Sequence, residues 1–83
     1  MQLQLLGTAG CHLCELADAI LTSAKIEYDI TTDYIDIAEQ TQWQALYATR
    51  IPVLRHPVTQ KELGWPFDVA TVLAFISEII AND

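Results

Sequence analysis

Two cysteines lie three residues apart in the segment Gly10-Cys11-His12-Leu13-Cys14, where a predicted strand leads into a predicted helix. Residues with this spacing share a helix face, so the two sulfurs can reach bonding distance without a change in the backbone. The first turn of a helix carries unpaired N–H groups and a partial positive charge, which together stabilise a thiolate. The pattern predicts a redox-active dithiol with Cys11 as the nucleophile and Cys14 as the resolving thiol.

Other uses of the two thiols compete with this interpretation. A structural disulfide closing so short a loop would contribute only about 2 kcal/mol, which is a weak reason to keep it. A zinc site would need both His12 and His56 to complete its ligands, and inert core thiols are a third alternative. His12 would help to stabilise the Cys11 thiolate when protonated, or else be an exposed imidazole without energetic role.

The elements that must position the dithiol begin with a strand over residues 2–6, in which leucines alternate with glutamines as in a strand with one wet face. Small residues then predict a turn, and a helix follows over residues 11–24. Its apolar face repeats at helical spacing. That face comprises Leu13, Leu16, Ala17, Ile20, Leu21 and Ala24.

The second strand is predicted at residues 33–37, although the apolar residues between 26 and 30 fit a strand or a helical turn equally well. A helix over 39–48 carries Trp43 in its apolar stripe. A third strand over 51–55 is opened by Pro52, and a turn at 57–60 joins it to a fourth strand over 61–65 as a hairpin. Asp68 is the predicted N-cap of the last helix, whose apolar face comprises Val69, Val72, Leu73, Ile76, Ile79 and Ile80.

Composition limits the class of protein. The chain has 83 residues, of which 52% are hydrophobic, and a net charge of −7. This predicts one folded domain over residues 1–83, with no membrane span and no nucleic-acid partner. No signal peptide is recognisable before the first strand, so we expect a cytoplasmic protein. The acidity favours solubility or a basic docking partner.

The sequence around three further side chains predicts whether each is buried or exposed. His56 stands beside Pro57 in a predicted turn and is expected to be a solvated loop residue. Trp43 and Trp65 are expected to pack in the core or at the sheet edge rather than form a binding platform.

Three motifs in order give the chain a family resemblance: Gly10-Cys11-His12-Leu13-Cys14, Arg50-Ile51-Pro52-Val53-Leu54 and Trp65-Pro66-Phe67-Asp68. With them the chain resembles the small bacterial glutaredoxin-like proteins of the thioredoxin-fold superfamily. The resemblance implies an α/β fold of order β-α-β-α-β-β-α, with a four-stranded mixed sheet flanked by three helices.

The resemblance also implies that Pro52 is cis and packs against the dithiol, which leaves the backbone of Ile51 free to pair with an extended substrate or glutathione. Thiol–disulfide oxidoreduction is the function expected, and a thioredoxin-fold binding module or metal-holding protein is the alternative. The catalytic residues are then Cys11 and Cys14. The residues expected to bind substrate are His12, Leu13, Arg50, Ile51, Pro52 and Asp68.

Two departures from true glutaredoxins bear on the electron donor. Thr8 replaces a basic residue, and Gly64-Trp65 replaces a Gly-Gly pair that helps to hold glutathione. We therefore expect no bound cofactor and poor turnover with glutathione, with Arg50 the one well-placed cation for a carboxylate. The expected partners are a disulfide-bearing protein or small thiol as substrate and a reductant protein as donor, with the chain itself a monomer.

Overall fold

A computed structural model describes residues 1–81 of the chain; the last two residues of the predicted domain lie outside the described part. Within it the elements follow the order strand, helix, strand, helix, strand, strand, helix. The strands are β1 (Gln2–Gly7), β2 (Thr31–Asp36), β3 (Val53–Arg55) and β4 (Glu62–Gly64). The helices are α1 (His12–Ala24), α2 (Thr41–Tyr47) and α3 (Val69–Ala81), with a 3-10 turn at Ile37–Glu39.

The strands form one mixed sheet in the order β2-β1-β3-β4. Strand β1 is parallel to β2 because α1 returns the chain to the starting end of the sheet, and Leu5 lies opposite Tyr34. Strand β3 is antiparallel to both β1 and β4, with Val53 opposite Leu6 on one side and Gly64 on the other. The predicted four-stranded mixed sheet and thioredoxin-like order are confirmed.

Side chains from the central strand β1 enter two hydrophobic clusters. Leu3 and Leu5 join α1 and α3 in the larger cluster, while Leu6 joins the smaller one under α2. The glutamines do not make one face wet, because only Gln2 is exposed and Gln4 accepts a hydrogen bond of 2.8 Å from Arg55 Nη1. The end of β1 is therefore held by packing on both faces.

The second strand and the second helix do not have the limits that the sequence predicted. Strand β2 covers residues 31–36 rather than 33–37, and Ile37 is instead buried in the 3-10 turn. The Asp36 carboxylate accepts a hydrogen bond of 2.9 Å from the Ala38 amide, so the chain leaves the strand at that point. Helix α2 consequently begins at Thr41 and not at residue 39.

The predicted apolar face of α1 was partly wrong. Leu13 and Leu16 are 43% and 44% exposed. Cys14 is fully buried and takes a place in the stripe that packs on the sheet. The buried stripe is Cys14, Ala17, Leu21 and Ala24. In α3, Phe75 is buried although the predicted stripe omitted it, and Ile80 is half exposed.

The prediction that His56 is a solvated loop residue was wrong. Its exposed fraction is 8%, because the turn after it folds back over the imidazole. Its Nδ1 lies 2.8 Å from Thr59 Oγ1, and its amide donates to the Lys61 carbonyl. Trp43 and Trp65 are both half-buried against the two clusters, as predicted.

Strand β3 is shorter than predicted, beginning after the proline at Val53. The Ile51–Pro52 peptide bond is cis, as the resemblance implied, and a second cis bond precedes Pro66, which the sequence did not predict. Within residues 1–81, no helix has the length and hydropathy needed to cross a membrane.

Candidate active site

The dithiol lies at the carboxyl end of the central strand. After Gly7 the chain turns through Gly10, whose φ of 77° lies in the left-handed region that favours glycine. The Cys11 amide donates a hydrogen bond of 3.3 Å to the Thr8 carbonyl, which closes this turn. Helix α1 starts at the next residue, so Cys11, the first residue of the predicted helix, is its N-cap.

The two cysteines are joined in a disulfide, with their Cα atoms 5.2 Å apart. Their environments differ. Cys11 is half-buried, whereas Cys14 is fully buried in the stripe of α1 that faces the core. The Cys11 Sγ accepts a hydrogen bond from the Cys14 backbone N–H at 3.1 Å. The sulfur that reaches the surface therefore already has a helix N–H directed at it, which is the environment that stabilises a thiolate.

Pro52 comes directly before β3, the strand that pairs with the dithiol end of β1. Val53 is paired with Leu6, and continuing this antiparallel register by one residue brings Pro52 opposite Gly7. Pro52 is fully buried and Ile51 is half-buried. The fold thus brings together the cysteines and the cis peptide bond although they are far apart in the chain.

The surface next to Cys11 combines exposed apolar and weakly paired polar side chains. Leu13 and Leu16 are both exposed on the first turns of α1. His12 Nδ1 lies 3.7 Å from Glu15 Oε2, and both of these side chains are more than three-quarters exposed. An exposed pair of this kind contributes little to stability, so both groups remain available to a partner.

Tyr34 is a residue near the dithiol that the sequence analysis missed. A Cβ added to Gly7 would lie 2.8 Å from the Tyr34 hydroxyl and 2.8 Å from the Cys14 Sγ. Both atoms therefore lie on the same face of the sheet, over Gly7. Burial raises the pKa of Tyr34, and the carboxylates of Asp36, Asp18 and Glu15 raise it further. Only the register of β2 against β1 reveals this position, and the sequence predicted the limits of β2 without a register.

Arg50 is engaged within the protein. Its Nη2 donates to Glu62 Oε1 at 2.8 Å, and its guanidinium lies 5.1 Å from the centre of the Tyr47 ring. The Tyr47 hydroxyl donates to the other oxygen of Glu62. These contacts lower the pKa of Glu62, the hydrogen bond from Tyr47 most strongly, while burial raises the pKa of Tyr47. The cation expected to meet a ligand carboxylate already has a carboxylate partner.

Asp68 caps α3, as the sequence predicted. Its Oδ1 accepts hydrogen bonds of 2.8 Å from both the amide and the hydroxyl of Thr71. The hydrogen bond from the Thr71 amide is the main reason why the pKa of Asp68 is lowered. One N–H group at this helix end is thus occupied by the protein's own carboxylate.

The zinc alternative required His12 and His56 to converge with the cysteines. His12 is exposed beside Glu15, and the buried His56 is bonded to Thr59 in the β3–β4 turn. Across residues 1–81, no three His, Cys, Asp or Glu side chains are grouped so that they would hold a metal ion.

Known proteins are similar to this chain in sequence and fold. The family model described as Glutaredoxin-like domain (DUF836) matches residues 2–77. The crystal structure of protein XcR50 from X. campestris is 32% identical, covering 92% of this chain and 96% of that one with a TM-score of 0.81. The solution structure of Ne2328 from Nitrosomonas europaea is 31% identical, covering 89% and 88% with a TM-score of 0.78. A search of curated protein sequences gives no significant match.

A more distant similarity concerns the fold alone. Thioredoxin 1 from Thermosipho africanus TCF52B is 18% identical over the full length of both chains, with a TM-score of 0.71. Together the family match and the two closer structures show that the chain belongs to the glutaredoxin-like family, within the thioredoxin fold. The paired Cys11 and Cys14 support a redox role for this member.

Proposed function

We propose that the protein is a thiol–disulfide oxidoreductase. The observation that carries the proposal is the unequal exposure of two bonded cysteines, with the accessible sulfur at the start of a helix. A dithiol of this kind reacts with one partner at a time, because only Cys11 can be reached by an external sulfur. A structural disulfide gains nothing from such an arrangement.

In the reducing direction the Cys11 thiolate attacks one sulfur of a substrate disulfide. The S–S bond of the substrate breaks, one half leaves as a thiol after taking a proton, and a mixed disulfide joins Cys11 to the other half. Cys14 then attacks the Cys11 sulfur and releases the second half as a thiol. The substrate gains two electrons and two protons, and the protein is left with the Cys11–Cys14 disulfide.

Substrate recognition is proposed to use the surface around Cys11. The backbone of Ile51, next to the cis bond, would pair with an extended segment of the substrate like an added strand. Leu13 provides exposed apolar area near Cys11, and His12 provides an exposed polar contact. A disulfide-bearing protein supplies more of these contacts than a small thiol does.

The electron donor is proposed to be a protein dithiol or flavoprotein rather than glutathione. Glutathione carries two carboxylates, and its recognition requires cations or free N–H groups near the dithiol. Arg50 is already paired with Glu62, and Asp68 occupies an N–H group at the start of α3. The net charge of −7 also disfavours an anionic ligand, within the range that salt permits.

Two coupled assays on one model disulfide test the proposal, following NADPH oxidation with glutathione and glutathione reductase or with thioredoxin and its reductase. We expect turnover mainly in the second. Cys11→Ser should abolish it, whereas Cys14→Ser should accumulate a mixed disulfide detectable by mass spectrometry. Strong turnover with glutathione that is lost in Arg50→Ala would overturn the donor assignment. Turnover in neither assay would favour the binding-module alternative.

A further inference from the structure

The space between Tyr34 and Cys14 is open because residue 7 is a glycine. The Tyr34 hydroxyl and the Cys14 Sγ each lie 2.8 Å from the place that a Cβ of residue 7 would occupy. Their separation is therefore at most twice that distance, with no side chain of residue 7 between them. Tyr34 reaches this position from the edge strand β2, opposite Leu5, and is half exposed along the rest of its length.

Cys14 needs help to act as a nucleophile. It is fully buried, and burial in apolar surroundings disfavours a thiolate. The N-terminal N–H directed at the dithiol goes to Cys11 rather than to Cys14. The charged groups nearest to this part of the site, Glu15 and Asp18 on α1 and Asp36 on β2, are carboxylates that oppose a second negative charge.

We propose that the Tyr34 hydroxyl donates a hydrogen bond to the Cys14 sulfur when the Cys11–Cys14 bond is open, and so promotes the resolving step. The inference rests on the proposed function, and it assigns Tyr34 a part in the resolving step of that reaction. A hydrogen bond to sulfur is stronger when the sulfur carries charge, so the donor favours the thiolate over the thiol. Cys14 then attacks Cys11, the bond from Cys11 to the substrate breaks, and the substrate thiolate takes up the proton that Cys14 released.

A donor is useful only while it keeps its proton. Burial and the three carboxylates hold the pKa of Tyr34 above its ordinary value of 10.0. The phenol is therefore protonated at neutral pH, where the protein would act. The same carboxylates that oppose the thiolate thus keep its hydrogen-bond donor in the form that donates.

The test separates the two halves of the reaction with 5,5′-dithiobis(2-nitrobenzoate) as the disulfide. Attack by Cys11 releases one coloured thiolate, and resolution by Cys14 releases the second, so stopped-flow absorbance records two phases. In Tyr34→Phe we expect the first phase to be unchanged and the second to be roughly tenfold slower, the loss typical of a hydrogen bond to a charged group. The pH profile of the second phase should shift to higher pH.

Tyr28→Phe is the matched control, because Tyr28 packs at the edge of the large core cluster at the far end of α1. Both of its phases should equal those of the unmodified protein. Cys14→Ser should show the first phase alone. Equal second phases and equal pH profiles in Tyr34→Phe and the unmodified protein would overturn the assignment of Tyr34 while leaving the proposed function intact. Release of only one coloured thiolate per molecule of the unmodified protein would instead overturn the proposed function.

Discussion

The Arg50 guanidinium lies 2.8 Å from the Glu62 carboxylate, which links the segment before β3 to the edge strand β4. Their side chains are 50% and 28% exposed, so solvent weakens the attraction. We expect a double-mutant cycle with Arg50→Ala and Glu62→Gln to give a coupling free energy of about 0.5–1 kcal/mol in urea denaturation. Lys25→Ala removes an exposed charge elsewhere and should show no coupling to Glu62→Gln.

The pairing of Arg50 with Glu62 also predicts how the turnover of a disulfide substrate responds to mutation of Arg50. Because Arg50 is occupied by Glu62, we expect turnover of the model disulfide in Arg50→Ala to stay within about twofold of the unmodified protein. Arg50→Ala should instead lower the urea concentration at the midpoint of denaturation. A large rise in KM for glutathione with an unchanged midpoint would show that Arg50 binds the ligand and that its pairing is broken on binding.

Acid should weaken the fold partly through Glu62. Its pKa in the folded protein is below its ordinary value of 4.5, so its ionised form contributes stability above about that pH and the contribution is lost as the pH falls through the lower folded value. We therefore expect Glu62→Gln to be less stable than the unmodified protein at pH 7, by roughly 1 kcal/mol.

The difference in unfolding free energy between Glu62→Gln and the unmodified protein should shrink as the pH falls below the ordinary value of 4.5, because the lowered pKa places the loss of the charged form there. Urea denaturation at several pH values measures it. Glu39→Gln is a suitable control, since Glu39 is an exposed carboxylate in the 3-10 turn. Parallel stability curves for Glu62→Gln and the unmodified protein would contradict the assignment.

Alkylation of the reduced protein should be confined to Cys11. Its sulfur is accessible and accepts a helix N–H, so we expect iodoacetamide to modify it with an apparent pKa below the value of about 8.5 for a free thiol. Cys14 should react at least tenfold more slowly because it is buried. Peptide mass spectrometry after timed quenching distinguishes the two sites, and equal labelling would refute the asymmetry.

Gly7→Ala should lower the free energy of unfolding, although the backbone dihedral angles at residue 7 do not themselves require glycine. The new Cβ would lie 2.8 Å from Cys14 Sγ and from the Tyr34 hydroxyl, so either sulfur or phenol must move. We expect a loss of about 1–3 kcal/mol, the range for overpacking. Gly64→Ala is the control, because a Cβ there meets nothing within 4 Å, and it should be nearly neutral.

The sequence predicted the elements that have strong local signals. The small residues before Cys11 and the apolar spacing after it placed the strand, turn and helix, and Asp68 marked the start of α3. Local chemistry was enough for these features. The cis bond before Pro52 was predicted correctly because the resemblance added long-range information that spacing alone lacks.

Errors arose where individual side-chain hydrogen bonds or the register of the strands decide the structure. The side chain of Asp36 ends β2 by capping a turn, and a propensity pattern does not contain that hydrogen bond. His56 is buried because Thr59 folds back onto it. The pairing of Arg50 with Glu62 and the approach of Tyr34 to Cys14 both depend on strand register, which a period of two leaves undetermined without the fold.

The position of β1 between β2 and β3 has a consequence for the nascent chain during translation. Its neighbours β2 and β3 begin at Thr31 and Val53, and α1 packs against α3, the last helix described. During synthesis the two cysteines leave the ribosome before any of these partners exist. Until the later segments emerge, the packing that buries Cys14 in the folded domain is incomplete. The unequal exposure of Cys11 and Cys14 is therefore acquired late, when translation of the described elements is nearly complete.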